Sequence, residues 1–223
     1  MSEAPAGIPR IKVRIEGLSD IVFGLALSIG SLVLIGNLPQ TPYGLGSDIL
    51  LFVFSFVLVV VSWYLYSLIM AVLPVEVRGS LVLNLVLLLC VALEPYTLYV
   101  LDSSGSQPGS LSLVEWSSFA YAIDVGMIYL LLAGLARILL TEVKNPGTEL
   151  RVHPAVVERV RRTMRAELFL GGIFLVSALP IFWVVTPLGY LRFDVWYLSL
   201  GVVFFYRPHR KRPDDAQRTY SLP

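Results

Sequence analysis

Three things are scarce in this chain. Cysteine occurs once among 223 residues. That residue, Cys90, cannot form a disulfide within the chain and is read as a small packing side chain. Histidine occurs twice, at His153 and His209, both outside the apolar blocks, so no metal-ligand cluster can be assembled from them and no cofactor is expected. Charge is the third shortage: Asp, Glu, Lys and Arg together make 15% of the residues, against about a quarter in soluble domains. An ordinary water-soluble globule is thereby excluded.

Apolar residues fill the space, at 56% of the chain with a mean hydropathy of +0.75. They are gathered in blocks long enough to cross a hydrocarbon layer about 30 Å thick. Six such blocks can be counted, at 17–36, 48–73, 79–101, 115–140, 166–187 and 190–206. Pro74, Pro187 and the Asn37-Leu38-Pro39 run punctuate them, as helix breakers should at the membrane surface. Alternating strands of about ten residues, the mark of a membrane barrel, are not seen. The expectation is an all-α, polytopic membrane protein of six transmembrane helices, with residues 1–223 forming one domain.

The basic residues set its orientation. Of the 17 Lys and Arg residues, all but Arg192 fall in the N-terminal segment, the second-to-third and fourth-to-fifth connections, and the tail. By the positive-inside rule both termini are cytoplasmic, in a multi-pass protein of the cell membrane. The first block is longer than a signal-peptide core and no small-x-small site closes it, so a retained helix is expected. The amphipathic stretch with Val156, Val160 and Met164 opposite Arg159, Arg162 and Arg165 predicts a short interfacial helix leading into the fifth span. The tail run RPHRKR reads as a stop-transfer signal and an anchor to anionic membrane lipid, not as a nucleic-acid patch.

Polar groups within the blocks carry what chemistry there is. The loop TPYGLG at Thr41 to Gly46 lacks the residue order of a carbonyl selectivity filter and predicts an outer turn. Glu94, next to Pro95, is expected to snorkel to the outer surface. Asp124, about three turns into the fourth block, is compatible with either a packing hydrogen bond or a role in ion or proton passage.

The first helix, RIEGLSDIVFGLALSIGSLVLIG from Arg14 to Gly36, places Leu18, Ile21, Leu25, Ile29 and Leu32 on one stripe of a wheel at about 100° per residue. Gly17, Gly24, Ser28 and Ser31 form a neighbouring stripe of the small residues that let helices approach closely. Leu34 lies opposite, on the expected lipid side. Asp20 also points away from the aliphatic stripe. Two readings of it stay open: a hydrogen bond into the bundle, with Ser19 and Arg14 as candidate partners, or capping of the helix N-terminus.

Arg14 followed by Leu18-Ser19-Asp20 and an apolar helix resembles the signature of the transmembrane protein 175 family, where the triplet is Phe-Ser-Asp. SFVLVVVSWYLYSL in the second block, LNLVLLLCVALEPY in the third and YAIDVGMIYLLL in the fourth resemble the family's Ser-Phe, Trp, Leu-Asn and fourth-span positions. Departures are Leu18 for Phe, Tyr66 and Ser67 where relatives commonly carry a His pair, and Asp124 at an Asn position. A second six-helix copy is missing, so the likeness is to the single-repeat prokaryotic form.

That resemblance implies a non-enzymatic, potassium-permeable homotetramer without a carbonyl filter, its pore lined by the first helix of each subunit. It implies hydrophobic constrictions at Leu25, Ile29 and Leu32, a selectivity role for Ser28, and a structural polar network of Arg14, Ser19, Asp20, Trp63 and Asn84. Potassium ions, membrane lipids and further copies of the chain are the implied partners. The rival readings are a secondary transporter or proton conductor working through Asp124 or Glu94, and a non-conducting scaffold.

Overall fold

The computed structural model describes residues 10–36, 41–73, 79–105, 111–145, 152–186 and 189–205. Six α-helices occur among them: α1 (Arg10–Gly36), α2 (Pro42–Met70), α3 (Ser80–Gly105), α4 (Leu111–Glu142), α5 (Pro154–Ser177) and α6 (Leu191–Phe205). The first four are long and apolar enough to cross a membrane. Pro74, Arg78, Pro187, the 37–39 run, Pro108, His209 and the tail arginines lie outside the described residues.

Helix starts follow local chemistry more than hydropathy. Thr41 caps α2 by accepting a hydrogen bond from the Gly44 amide at 3.0 Å, and Pro42 occupies the first turn, where its missing N–H costs nothing. The expected outer turn at Thr41 to Gly46 is therefore the beginning of a helix. His153 caps α5 in the same way, accepting from the Ala155 amide at 3.2 Å ahead of Pro154. Gly79 turns the chain into α3 with φ of 91°, a conformation that favours glycine.

The fifth block differs most from its expectation. The interfacial stretch and the first part of the apolar block form one continuous helix, α5, which ends at Ser177. Arg and Glu are good helix formers, so a drop in hydropathy does not interrupt the backbone, whereas Pro180 forces an exit. A 3-10 turn at Pro180–Phe182 and a two-residue antiparallel ribbon, β1 (Val185–Thr186) with β2 (Gly189–Tyr190), lead into α6.

Packing places α4 at the centre. It lies against α3 on one side and α5 on the other, while α1 packs on α2 and α3. The α4–α5 crossing is close: a Cβ added at Gly171 would meet the Gly126 carbonyl oxygen at 3.0 Å, and one at Gly126 the Leu175 side chain at 2.8 Å. Small residues thus allow close helix approach here. The end of the bundle where α5 stops is tied by Arg192, which is 1% exposed. Its guanidinium donates to the carbonyls of Ser177 (2.7 Å) and Ala178 (3.0 Å) and to the Ser118 hydroxyl (2.6 Å), joining α6, the end of α5 and α4.

Candidate functional site

One face of α1 is covered and the other is not. Ser19, Phe23 and Ala26 are buried against the neighbouring helices, and Gly30 faces the Phe52 ring at 4.0 Å. On the wheel these residues span only about 60°. The aliphatic stripe lies beside that arc with no cover from the described residues of this chain: Leu25 is 56% exposed, Ile29 42% and Leu32 58%. Ser28 is exposed on its flank and donates to the Gly24 carbonyl at 2.8 Å. That bond commits the hydroxyl proton and leaves the oxygen lone pairs free. The side chain of Leu34 lies outside the described residues.

The small-residue stripe does not make the close contact expected within the chain. Nothing comes within 4 Å of a Cβ placed on Gly17 or Gly24. Helices α2 and α3 grip the Ser19–Phe23–Ala26 face instead, because that face carries the ring and hydroxyl that fit between them.

Two side-chain contacts hold the first half of α1 to α2, besides Lys12 Nζ, which donates to the Ala71 carbonyl at 3.2 Å. Trp63 Nε1 donates to Asp20 Oδ1 at 3.0 Å. Capping is excluded for both Ser19 and Asp20, since α1 begins nine residues before Ser19, at Arg10. Neither of the partners proposed for Asp20 is used: Ser19 turns its hydroxyl to the Ile15 carbonyl at 2.8 Å, and Arg14 is exposed. The second contact joins Ser19 Oγ to the Tyr66 hydroxyl at 2.6 Å in a buried setting. Asn84 of α3 is 2% exposed and lies beside Tyr66, with neither amide atom in a hydrogen bond. Ser19, Asp20 and Trp63 are thus brought together, Asn84 borders them, and Arg14 stays outside.

Tyr66 is the member of this group that sequence reasoning passed over, registering it only as a departure from the family pattern. A usable signal existed. Ser55, Ser62 and Tyr66 fall at i, i+7 and i+11 of α2, one helical face, and all three are buried.

Glu94 corrects an expectation. It does not snorkel; it is 1% exposed, accepting from the Ser55 hydroxyl and from the Tyr121 hydroxyl at 3.2 Å. The hydroxyls of α2 and α4 meet it in the interior and supply the hydrogen bonds that the surface would have offered. Asp124, 8% exposed, accepts from Thr97 Oγ1 at 3.4 Å and has Cys90 beside it. Both carboxylates are enclosed between helices and neither reaches the open stripe of α1. No group of three or more potential metal ligands occurs among the described residues.

This division of α1 into a gripped face and an open aliphatic face lies within a stretch, residues 14–95, that matches the family profile described as "Endosomal/lysosomal potassium channel TMEM175". Over these first three helices, the chain resembles the TMEM175 family. It is an ion-channel family and not a family of enzymes.

The TMEM175 fold extends beyond the matched segment. The crystal structure of a lysosomal potassium-selective channel TMEM175 homolog from Chamaesiphon minutus superposes with a TM-score of 0.59 at 22% identity, covering 86% of this chain and 92% of that one. A variant of the potassium channel MtTMEM175, solved with a Nanobody-MBP fusion protein, gives 0.57 at 20% identity, covering 93% and 92%. No curated protein sequence matches this chain.

Proposed function

We propose that this protein is a potassium-permeable channel of the TMEM175 type in which four copies place α1 around a central pore. The observation that carries the reading is the open stripe. Leu25, Ile29 and Leu32 stay 42–58% exposed while the residues beside them are packed against α2 and α3. A bilayer would accept such a stripe, but the flanking Ser28 hydroxyl would then face lipid.

Rings of Leu25, Ile29 and Leu32 offer an ion nothing to replace its water, so they close the pore by dewetting and conduct only when widened. Ser28 sits a turn beyond Leu25 with its lone pairs available, and four such oxygens offset part of the dehydration cost. Potassium gives up water more readily than sodium, which makes it the favoured ion. Ser19, Asp20, Trp63 and Tyr66 hold α1 in place, with Arg14 and Asn84 at their margin. In this arrangement the chain is a single six-span domain in the cell membrane with both termini cytoplasmic, α5 and α6 being the last two spans.

The test is paired potassium and sodium flux from liposomes. Leu25→Ala should raise potassium flux at least about tenfold and relax discrimination against sodium. That change needs only ~1.4 kcal/mol off the barrier, a small part of the ~10 kcal/mol that the four isopropyl groups removed represent at about 0.8 kcal/mol per carbon. Leu198→Ala, on the 71% exposed Leu198 of α6, should change neither. An unchanged Leu25→Ala tetramer rejects the gate. Saturable, coupled flux sensitive to Asp124 or Glu94 would favour transport instead, and absence of flux a scaffold.

A further inference from the structure

We infer that α5 and α6 form a binding site for an anionic phospholipid of the cytoplasmic leaflet, its acyl chain in an apolar groove and its phosphate against the arginines at the basic end of α5. The groove is an open apolar depression with a volume of about 380 Å³. Leu168, Phe169, Ile173 and Val176 of α5 line it together with Val195 of α6 and Phe182 of the 3-10 turn. Gly172 is the floor, and a Cβ placed there meets nothing within 4 Å. The depression exists because the two helices part around a residue without a side chain.

The charge that selects the occupant lies on the same face. With Leu168 as zero on the wheel, Arg161, Arg165 and Arg162 fall at about 20°, 60° and 120°, inside the roughly 140° arc that the groove residues of α5 occupy. They sit one to two turns toward the helix start. Glu158, on the same arc, pairs with Arg162 at 3.0 Å and Arg161 at 3.3 Å. The Arg162 hydrogen bond keeps its carboxyl below the usual range, so it stays charged and offsets one arginine. Arg165 is exposed and makes no ion pair among the described residues. The patch therefore keeps a net positive charge next to an apolar groove.

Length agrees with the leaflet. Eleven residues separate Arg165 from Val176, about 16 Å along the axis, against about 15 Å for half of the hydrocarbon layer. An acyl chain descending from a phosphate at Arg165 would end beside Val176. The site also faces the right way. Helix α5 packs chiefly on α4 and touches α2, the helix beside α1, only lightly, so a pore built on α1 leaves the α5–α6 side toward lipid. This placement rests on the reading of α1 as the pore helix.

The test uses the purified full-length chain in detergent, titrated with phosphatidylglycerol or phosphatidylcholine and read by native mass spectrometry and Tm. Phosphatidylglycerol should bind and raise Tm, and phosphatidylcholine should do neither. Arg165→Ala should weaken phosphatidylglycerol binding about fivefold, the effect of one surface charge, with helical circular dichroism unchanged. Gly172→Trp should abolish binding by filling the groove. Equal binding of the two lipids overturns the proposal, as does parental phosphatidylglycerol affinity in Arg165→Ala, whose exposed side chain the fold does not need. Altered oligomeric state in Gly172→Trp with lipid binding intact would assign the groove to a second copy and likewise overturn it. Because the readout is binding, a protein that fails to conduct potassium would reject the channel reading and leave this result standing.

Discussion

Removing the hydroxyl of Tyr66 or of Ser19 should weaken the α1–α2 contact by amounts that are small, unequal and coupled. Ser19 donates its one proton to the Ile15 carbonyl at 2.8 Å, so across the 2.6 Å contact Tyr66 must be the donor. Tyr66→Phe removes that donor, strands no proton and keeps the ring against Phe23, whose centroid is 5.6 Å away. Its cost should be ~1 kcal/mol, the net value of a typical hydrogen bond. Ser19→Ala leaves a hydroxyl proton without its acceptor on a residue 2% exposed, a loss of ~1–3 kcal/mol. The adjacent Asn84 amide can take up that proton, which sets the loss toward the lower end. In membrane proteins such pairs couple by ~0.6 kcal/mol on average and ~1.7 at most. Equilibrium unfolding in mixed micelles of the parent, both single variants and the double variant measures this cycle. Single effects that add to within about 0.3 kcal/mol, or a Tyr66→Phe cost above that of Ser19→Ala, would refute the donor assignment.

Gly171→Ala should cost ~1–3 kcal/mol by overpacking the α4–α5 crossing, where the new Cβ lies 3.0 Å from the Gly126 carbonyl oxygen. Gly172→Ala, with nothing within 4 Å, should leave Tm unchanged or raise it. Asp20→Asn keeps an acceptor for Trp63 Nε1, so its effect on assembly and open probability should be smaller than that of Asp20→Leu. Neither should alter the potassium over sodium preference, and a shifted reversal potential in a well-assembled variant would count against a purely anchoring Asp20. In a Cys90→Ala background, cysteines introduced at Pro108 and Gln217 should react with impermeant reagent from opposite sides of the membrane. Labelling of both from one side would overturn the orientation.

Apolar length and basic asymmetry are properties of composition along the chain, and they were readable directly. Four of the blocks correspond to helices that meet the length and hydropathy of membrane spans, because the free energy of leaving water depends on each residue's own surface. The aliphatic stripe of α1 is legible for a similar reason, since 3.6-residue periodicity is set by the backbone alone. Helix ends were less legible. Capping by Thr41 and His153 and the run of α5 through its arginines obey backbone chemistry, and hydropathy does not register it.

Partner choice was decided only by the tertiary structure. Asp20 could be recognised as a carboxylate in need of a hydrogen bond, yet its donor, Trp63, lies 43 residues away. Glu94 looked free to reach the surface until Ser55 and Tyr121, from two other helices, enclosed it. Arg192 could be counted as one outer charge, and its role in binding α4, α5 and α6 together depends on carbonyls freed where α5 ends. Transfer from water and helical period are local quantities, written residue by residue, whereas satisfying a buried polar group is a joint property of chain segments that only folding brings together.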